Sequence, residues 1–503
     1  MPIVVRSVSL VGIDGFPVEI EVDLINRLPA TIIVGLPGSA IRESTHRVRS
    51  AIASSDRPYP RKRVVVNLAP ADVPKVGTGF DLPIAVAIVC AGLQSVPGRL
   101  QSTAFVGELS LDGALKPISG ALSVAIAAAE NGISRIVLPT QSAREAAVVD
   151  GIAVHGAATL AEVIDWVSGD GSLESPTAPK SSMPTASVDM SEVRGQHQAR
   201  RGLEIAAAGG HNLLMMGPPG CGKTMLATRM ATILPRMDRT EALEITRIHA
   251  AAGLIPAGSG LVMHRPFRAP HHSVTSAGLL GNARLEPGEV SLAHRGVLFL
   301  DELPEFRRSA LELLRGPLES RQVRLTRARG TAVFPASFSL IAAANPCPCG
   351  FRGHPSRPCV CTPTQVDRYE QKLSGPMLDR IDMMVWTQPV EPLELERSEP
   401  GESSRAVRHR VDHARALQNE RFRDRPLACN AELAGDAIRE AADASPEALR
   451  TLRAVCETNA FSGRGWARIL KVARTIADLA AEQRVNSHHV LEASSYRLPS
   501  GIR

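Results

Sequence analysis

Three groups of residues in this chain have the types and spacing that chemistry requires. The first is Gly217-Pro218-Pro219-Gly220-Cys221-Gly222-Lys223-Thr224, which fits a GxxxxGK[ST] pattern. Glycines there let backbone amides turn inward around phosphate oxygens, and a helix opening at the lysine adds its positive end. Lys223 would reach the β- and γ-phosphates of ATP and Thr224 would ligate magnesium, so all eight residues form the expected nucleotide-binding segment. The second group is Asp301-Glu302, at the end of an apolar run over residues 296–300. An aspartate at a strand end suits magnesium held through water, and the adjacent glutamate suits polarisation of an attacking water, so hydrolysis is expected rather than binding alone. The third group is Cys347-Pro-Cys349 with Cys359-Val-Cys361. Four thiolates in two close pairs can close a tetrahedral zinc site, with His354 between them as a substitute ligand. The competing reading is a Pro-rich loop whose thiols are inert.

Positioning these groups needs particular elements. Residues 211–216 read as a buried strand running into the glycine turn, and residues 338–344 as another that ends in Asn345. Buried strands that end in polar residues, with helices between them, predict a parallel sheet with its ligand at the carboxyl edge. Residues 192–208 read as helical, and from about residue 405 onward the periodicity is helical throughout. Upstream, apolar strands over 17–23, 31–35 and 63–68 mix with Ala-rich helices over 41–54, 82–91 and 121–131, and a turn signal at 111–113 separates elements. That block reads as an α+β domain. Residues 168–190 are rich in Ser, Pro, Gly and Thr and read as a linker.

At 503 residues the chain has room for about three domains. No apolar run reaches the ~18 residues of a membrane span. The longest, residues 82–93, is broken by Pro83 and Gly92, and no basic segment leads an apolar one at the start. A cytoplasmic protein without membrane contact is expected. Lys and Arg total 57 against 51 Asp and Glu, a mild excess that permits a nucleic-acid partner without requiring one. Aromatics at 3% are too sparse for rows of base-stacking rings, so such a partner would be gripped by Arg, Lys and backbone amides on phosphates. Eight cysteines in such a chain are not a disulfide framework.

The segments VRGQHQARRGLEIAAAGGHNLL, RPFRAPHHS, PGEVSLAHRGVLFLDELPEF, AAANPCPCG, SGPMLDRID and WARILKVARTIADL occur here in one order. Together with the phosphate loop they resemble the AAA+ ATPases, and more narrowly the magnesium-chelatase-like ATPases of the YifB/ComM family. The resemblance covers nearly the whole chain. It implies that Asn345 is the sensor positioning the hydrolytic water, that Arg380 is the finger inserted into a neighbour's site, and that Arg464 is the second sensor, with Arg468 its rival. Cys221 departs from the usual Ser or Ala, either as a small filler or as an activated thiol. A trans arginine implies an oligomer, and relatives form hexameric rings. The insertion over 264–290, with Arg265, Arg268, His271, His272 and Arg284, and the hairpin-like 321–336, with Arg324, Arg327 and Arg329, would line the pore and grip DNA. The Arg-dense segment 405–425 is a further basic surface, and His271-His272 read as a structural pair.

The N-terminal segments PADVPKVGTGFDLPIAVAIVCAG and FVGELSLDGALKPISGALSVAIAAAENGISRIVLP resemble the proteolytic domain of Lon. A Lon-type dyad needs a serine within residues 75–83 and a lysine within 118–130. The first stretch offers only Thr78, and the second has Ser119 and Ser123 without a lysine, so peptide hydrolysis is not expected. The expected fold is multidomain α/β. It comprises a Lon-protease-like (ribosomal S5 domain 2-like) α+β domain over 1–167, the linker over 168–190, an AAA+ parallel sheet with helices on both faces over 191–395, and an all-α lid over 396–503. The expected function is an ATP- and magnesium-dependent hexameric DNA motor, a branch-migration helicase acting on single-stranded or branched DNA in recombination or natural transformation. Alternatives are the motor subunit of a magnesium chelatase or a protein-remodelling ATPase.

Overall fold

The computed structural model describes residues 2–73, 75, 77–93, 97–179, 188–256, 259–327, 330–372, 375–389 and 399–497. Its N-terminal part is built on β1 (Ile3–Val11), β2 (Asp14–Ile25), β3 (Ala30–Val34), β4 (Arg63–Ala69), β5 (Thr103–Phe105), the small hairpin β6 (Glu108–Leu109) and β7 (Leu115–Lys116), β8 (Arg135–Pro139) and β9 (Ala153–Ala157). Seven of these form one mixed sheet in the order β3-β4-β2-β1-β5-β8-β9. Alternating positions explain its burial. Val18, Ile20 and Val22 of β2 and Val64, Val66 and Leu68 of β4 point into one apolar layer with helices Ser39–Ser54 and Asp81–Leu93. Beyond helix Leu160–Ser168, Glu174 pairs with Gly156 at the sheet edge, and Asp189 caps the 3-10 turn Met190–Glu192. Residues 180–187 of the expected linker lie outside the described residues.

The second sheet is fully parallel. It contains β10 (Leu213–Met216), β11 (Phe267–Arg268), β12 (Val297–Leu300), β15 (Ser339–Ala344) and β16 (Met383–Trp386), in the order β11-β12-β15-β10-β16. Between β12 and β15 the chain forms the antiparallel hairpin β13 (Gln322–Arg327) and β14 (Gly330–Pro335). Leu213, Met215, Phe299, Ile341 and Val385 face one apolar layer and Leu214, Met216, Leu298, Leu300 and Ala342 face another, so this sheet is covered on both sides. The helix before β10 spans His197–Gly209 and starts later than its apolar pattern suggests. Gly195 and Gln196 both adopt positive φ (62° and 52°), which breaks the turn geometry upstream.

After residue 403 the described chain is helical, with Ser404–Arg421, Pro446–Thr458, Gly463–Leu479 and Ser487–Ser495 the longer elements. Four arginines of helix Ser404–Arg421 are engaged by neighbouring groups. Arg408 donates to the Thr232 carbonyl and Arg415 to the Ala207 and Ala208 carbonyls. Arg410 pairs with Glu204 and Glu402, and Arg421 with Asp478. These four arginines tie the helix to its neighbours, whereas Arg405, Arg423 and Arg425 are exposed, the last two beside Glu420 and Glu440.

The two sheets are joined by side chains. Arg247 donates to the Ile13 carbonyl at 2.9 Å and lies 3.6 Å from Asp14, while Arg239 holds Asp150. Ile13 is buried in the same cluster as Phe334 of β14, and a Cβ on Gly12 would lie 2.8 Å from the Ala332 Cβ. The β1–β2 turn thus seats against the β13–β14 hairpin.

Asp478 is the buried hub of the C-terminal helices, accepting from Arg421 (3.0 Å), Arg474 (3.1 Å) and Asn430 (2.8 Å). Arg474 is itself 1% exposed. Asp478→Ala strands that cation and should cost about 3 kcal/mol. Faster amide exchange across Gly463–Leu479 and a lower urea midpoint are the expected results, and unchanged exchange would contradict the role of the hub.

Candidate functional site

At the carboxyl edge of the parallel sheet, the Thr387 amide donates to the Met216 carbonyl at 2.7 Å, the last contact between β10 and the chain leaving β16. Gly217 follows so closely that a Cβ there would lie 2.2 Å from the Thr387 carbonyl oxygen. Only glycine can leave β10 along this path. Gly220 and Gly222 then turn with φ of 80° and 82°, and helix Lys223–Ile233 begins. Cys221 is buried, with its Sγ 2.9 Å from the Thr387 Oγ1, so the thiol fills the angle between the loop and the end of β16.

The polar groups at this edge converge. The Lys223 ammonium donates to the Gly217 carbonyl (2.7 Å), the Pro218 carbonyl (2.9 Å) and the Asn345 Oδ1 (3.1 Å). The Thr224 hydroxyl donates to the Asp301 carboxylate at 2.8 Å. Strand register explains the arrangement: Met216 pairs with Ala344 and Leu300 with Ala342, so three strands end side by side. Glu302 sits in left-handed conformation (φ 52°, ψ 48°), with its amide on the Asp301 carboxylate at 2.9 Å and its side chain turned toward solvent. The His272 Nδ1 lies 3.8 Å from the Glu302 carboxylate. His272 stacks on His271 at 4.0 Å and meets the edge of Phe306, which sequence reading did not connect to the acid. Two hard oxygen donors, Thr224 and Asp301, beside an ammonium and a helix N-terminus fit a metal-chelated polyphosphate.

Arg380, Arg464 and Arg468 lie together at the opposite edge. Asn212, just before β10, donates to the Arg380 carbonyl at 2.9 Å, and its amide meets the Asp382 carboxylate at 3.1 Å. Arg380 pairs with Glu319. Arg464 lies 3.2 Å from Asp379, and Arg468 lies 3.8 Å from Asp379 and 4.0 Å from Asp382. With Arg321 and Lys471 they line a cleft of about 330 Å³. Burial pulls both Arg468 and Lys471 below their ordinary basicity, against the pull of Asp382. A four-residue strand, about 13 Å of rise, separates this cleft from Lys223 of the same chain. Arg321, Lys471, Asp379 and Thr387 belong to these two edges without any local pattern that marks them.

In the insertion over 264–290, two arginines expected on loop tips are internal. Arg265 is bound to Glu241 and to the Pro235 and Arg295 carbonyls, and Arg268 to Glu289 through two contacts. Each cation has found a carboxylate that the linear sequence did not reveal. Arg284 is exposed, as are Arg324 and Arg327 on β13, whereas Arg329 lies outside the described residues.

The four cysteines also converge. Cys347, Cys349, Cys359 and Cys361 have their sulfurs within 4.8 Å of one another. His354 is not of this group: its Nδ1 accepts from the Ser356 and Arg357 amides, which corrects its reading as a substitute ligand. Burial raises the Cys349 thiol, but amides of Phe351 and Val360 outweigh it and bring the group down to about 6. Burial pushes the Cys90 and Cys429 thiols up.

In the N-terminal part, Thr78 donates to Glu108, while Lys75 is buried with its ammonium on the Pro70 carbonyl. Gly217→Ala tests the most constrained position of the site. It should remove the upward shift in melting temperature that ATP with magnesium gives the parent chain. The variant itself should lose about 1–3 kcal/mol to the clash. A variant still stabilised by ATP would show that the loop can shift away from Thr387.

Residues 189–395 match the family model described as magnesium chelatase, subunit ChlI; residues 20–142 match subunit ChlI of Mg-chelatase, and residues 401–497 the C-terminal model of the same subunit. An uncharacterized protein YifB from Salmonella typhimurium is 43% identical over 502 residues, covering 98% of this chain and 96% of the relative. Competence protein ComM from Haemophilus influenzae is 40% identical over 508 residues, covering 98% and 97%. A shorter likeness, 36% over 84 residues, links 16% of the chain to 13% of an archaeal Lon protease from Methanothermobacter thermautotrophicus. Matches through all three segments, with relatives aligned over nearly their whole length, make this chain a member of the magnesium-chelatase-like family that includes YifB and ComM.

Proposed function

We propose that this chain is a magnesium-dependent ATP hydrolase of the AAA+ type that works as a hexameric ring and moves on DNA. The observation that carries the proposal is the meeting of Lys223, Thr224, Asp301 and Asn345 at one sheet edge. In this reading residues 191–395 are the motor core, 396–503 a helical lid, and 1–167 a Lon-like domain joined through the linker 168–190. Bound magnesium would neutralise charge on the β- and γ-phosphates, with Thr224 and Asp301 as its protein donors. Lys223 would exchange its present carbonyl and Asn345 contacts for phosphate oxygens. Asn345, freed from the lysine, would orient the hydrolytic water that Glu302 polarises. His272, beside Glu302, is suited to hold that carboxylate in place.

Arg380 and Arg464 would act on a neighbouring subunit's nucleotide. Their position on the edge remote from Lys223 supports this, since charge on the transferring phosphoryl group is commonly met in trans. An arginine acting in trans requires an oligomer, and the resemblance to AAA+ relatives implies that this oligomer is a hexameric ring. The N-terminal domain serves assembly or DNA contact rather than peptide cleavage: residues 118–130 hold no lysine to act as base, and Thr78, the hydroxyl of 75–83, is engaged with Glu108. Arg324 on the exposed face of β13 and Arg327, exposed at its end, are the proposed phosphate contacts, with Gly12 and Ile13 packed against the hairpin. The proposed task is branch migration in recombination or natural transformation. The name of the Haemophilus relative, a competence protein, and the resemblance of the motifs support it. Among the described residues no helix is long and apolar enough to cross a membrane. The cytoplasm, where ATP and DNA meet, is the proposed location. The family models keep a second reading open, a chelatase motor subunit, which DNA would not stimulate.

Steady-state ATPase rates with single-stranded, duplex and four-way-junction DNA separate these readings. DNA stimulation that Lys223→Ala abolishes is expected, whereas rates indifferent to every DNA would exclude the motor. Arg380→Ala should lower kcat by about 10³-fold. Mixing that variant with Lys223→Ala should restore part of the activity, because some interfaces then pair an intact loop with an intact arginine. No recovery on mixing would place the arginine in its own subunit's chemistry. DNA affinity should fall linearly in log–log form with salt at a slope near −0.9 per phosphate neutralised. Arg324→Ala should make that slope shallower, and an unaltered slope would move the contact elsewhere.

A further inference from the structure

From Asn345 to Thr362 the chain forms neither strand nor helix, yet it passes directly beside the nucleotide site. A stretch of this length needs something to hold it. Its start is Asn345 itself, two residues before Cys347. Its middle touches the phosphate loop, where a Cβ on Gly350 would lie 2.6 Å from the Pro219 Cδ. Its end leads into helix Pro363–Lys372, whose Tyr369 hydroxyl receives the Asn345 amide.

We propose that Cys347, Cys349, Cys359 and Cys361 bind one zinc ion, and that this ion clasps the loop so that Asn345 and the phosphate loop keep a fixed relation. The sulfurs of Cys347 and Cys349 are 3.4 Å apart, those of Cys347 and Cys359 3.6 Å, and those of Cys349 and Cys359 3.5 Å. Thiolates around a tetrahedral ion with Zn–S bonds of ~2.3 Å stand about 3.8 Å apart, close to this spacing. Disulfide sulfurs would be bonded at about 2.05 Å, and a polynuclear iron cluster would hold its thiolates further apart than one ion does. The Cys349 amide also donates to the Cys361 sulfur at 3.3 Å, as an amide does to a metal-bound thiolate. Zinc takes no part in the reaction; without it the loop would lose the centre that draws its two ends together and Asn345 its fixed distance from Lys223. The effect on hydrolysis rests on the ATPase proposed above, but the metal site does not.

The test uses the full chain purified without added metal or chelator. Metal content per chain would be measured by mass spectrometry for the parent, Cys359→Ser, Cys361→Ser and the distant control Cys456→Ser. About one zinc is expected in the parent and the control, and a small fraction of that in the other two. Absence of stoichiometric zinc, or iron in its place, overturns the site. Amide exchange over 217–224 and 345–362 is then compared for the parent, the parent stripped by a high-affinity zinc chelator, and the two serine variants. Exchange should rise in both segments on zinc loss, while Gly463–Leu479 stays protected, which excludes global unfolding. With zinc lost, kcat for ATP should fall by about 10-fold or more, and binding of a fluorescent ATP analogue should change much less. Zinc loss that leaves exchange in both segments unchanged overturns the clasp. A zinc-loaded chain that hydrolyses no ATP overturns the ATPase alone, because metal content and exchange still decide the clasp.

Discussion

The close approach of β10 to the chain leaving β16 governs the whole nucleotide edge. With the Thr387 amide on the Met216 carbonyl and no space for a Cβ at 217, the backbone is forced up and over in a glycine turn. The same rung fixes the height at which helix Lys223–Ile233 starts. Because the sheet is parallel and in register, Ala344 ends beside Met216, and Asn345 meets the lysine without any adjustment of its own strand. Asp301 arrives one strand further along, within reach of Thr224. Convergence of polar groups from three distant segments therefore costs little beyond the burial that forms the sheet.

The same register separates the arginines from the loop. Arg380 immediately precedes β16, and Asn212, which holds it, precedes β10, so both belong to the starting edge of the strands. Helix Gly463–Leu479 packs behind this edge and contributes Arg464, Arg468 and Lys471 to one cleft. One face of the core thus carries phosphate-binding donors and the other a cluster of cations. The N-terminal sheet adds a further connection, because Gly12 and Ile13 pack against Ala332 and Phe334 and couple that domain to the hairpin bearing Arg324 and Arg327.

Much of the core is readable in the amino-acid pattern. All four positions of β10 and of β12 are apolar and buried; β12 stops at Asp301, and β10 at Gly217, where the phosphate-loop pattern begins. Helices Ser39–Ser54 and Ala121–Glu130 follow their Ala-rich periodicity within one or two residues. Strands β5, β6, β7 and β11 have two or three residues each, too few for a periodic signal, and they exist because neighbouring strands supply their hydrogen bonds. The start of helix His197–Gly209 is displaced from its apolar pattern because two successive residues, Gly195 and Gln196, take positive φ.

Local chemistry is what the sequence determined: the phosphate loop, the acid pair ending β12, Asn345 ending β15 and the two cysteine pairs. Each depends on residues adjacent in the chain and on a strand end directly beside them. Charges were decided by tertiary structure alone. Arg265 is spent on Glu241, Arg268 on Glu289, Arg410 on Glu204 and Arg421 on Asp478, partners that lie between 21 and 206 residues away. A long flexible cation has no local signature of burial, so whether it faces a phosphate, a carbonyl or a carboxylate is settled only when distant elements pack.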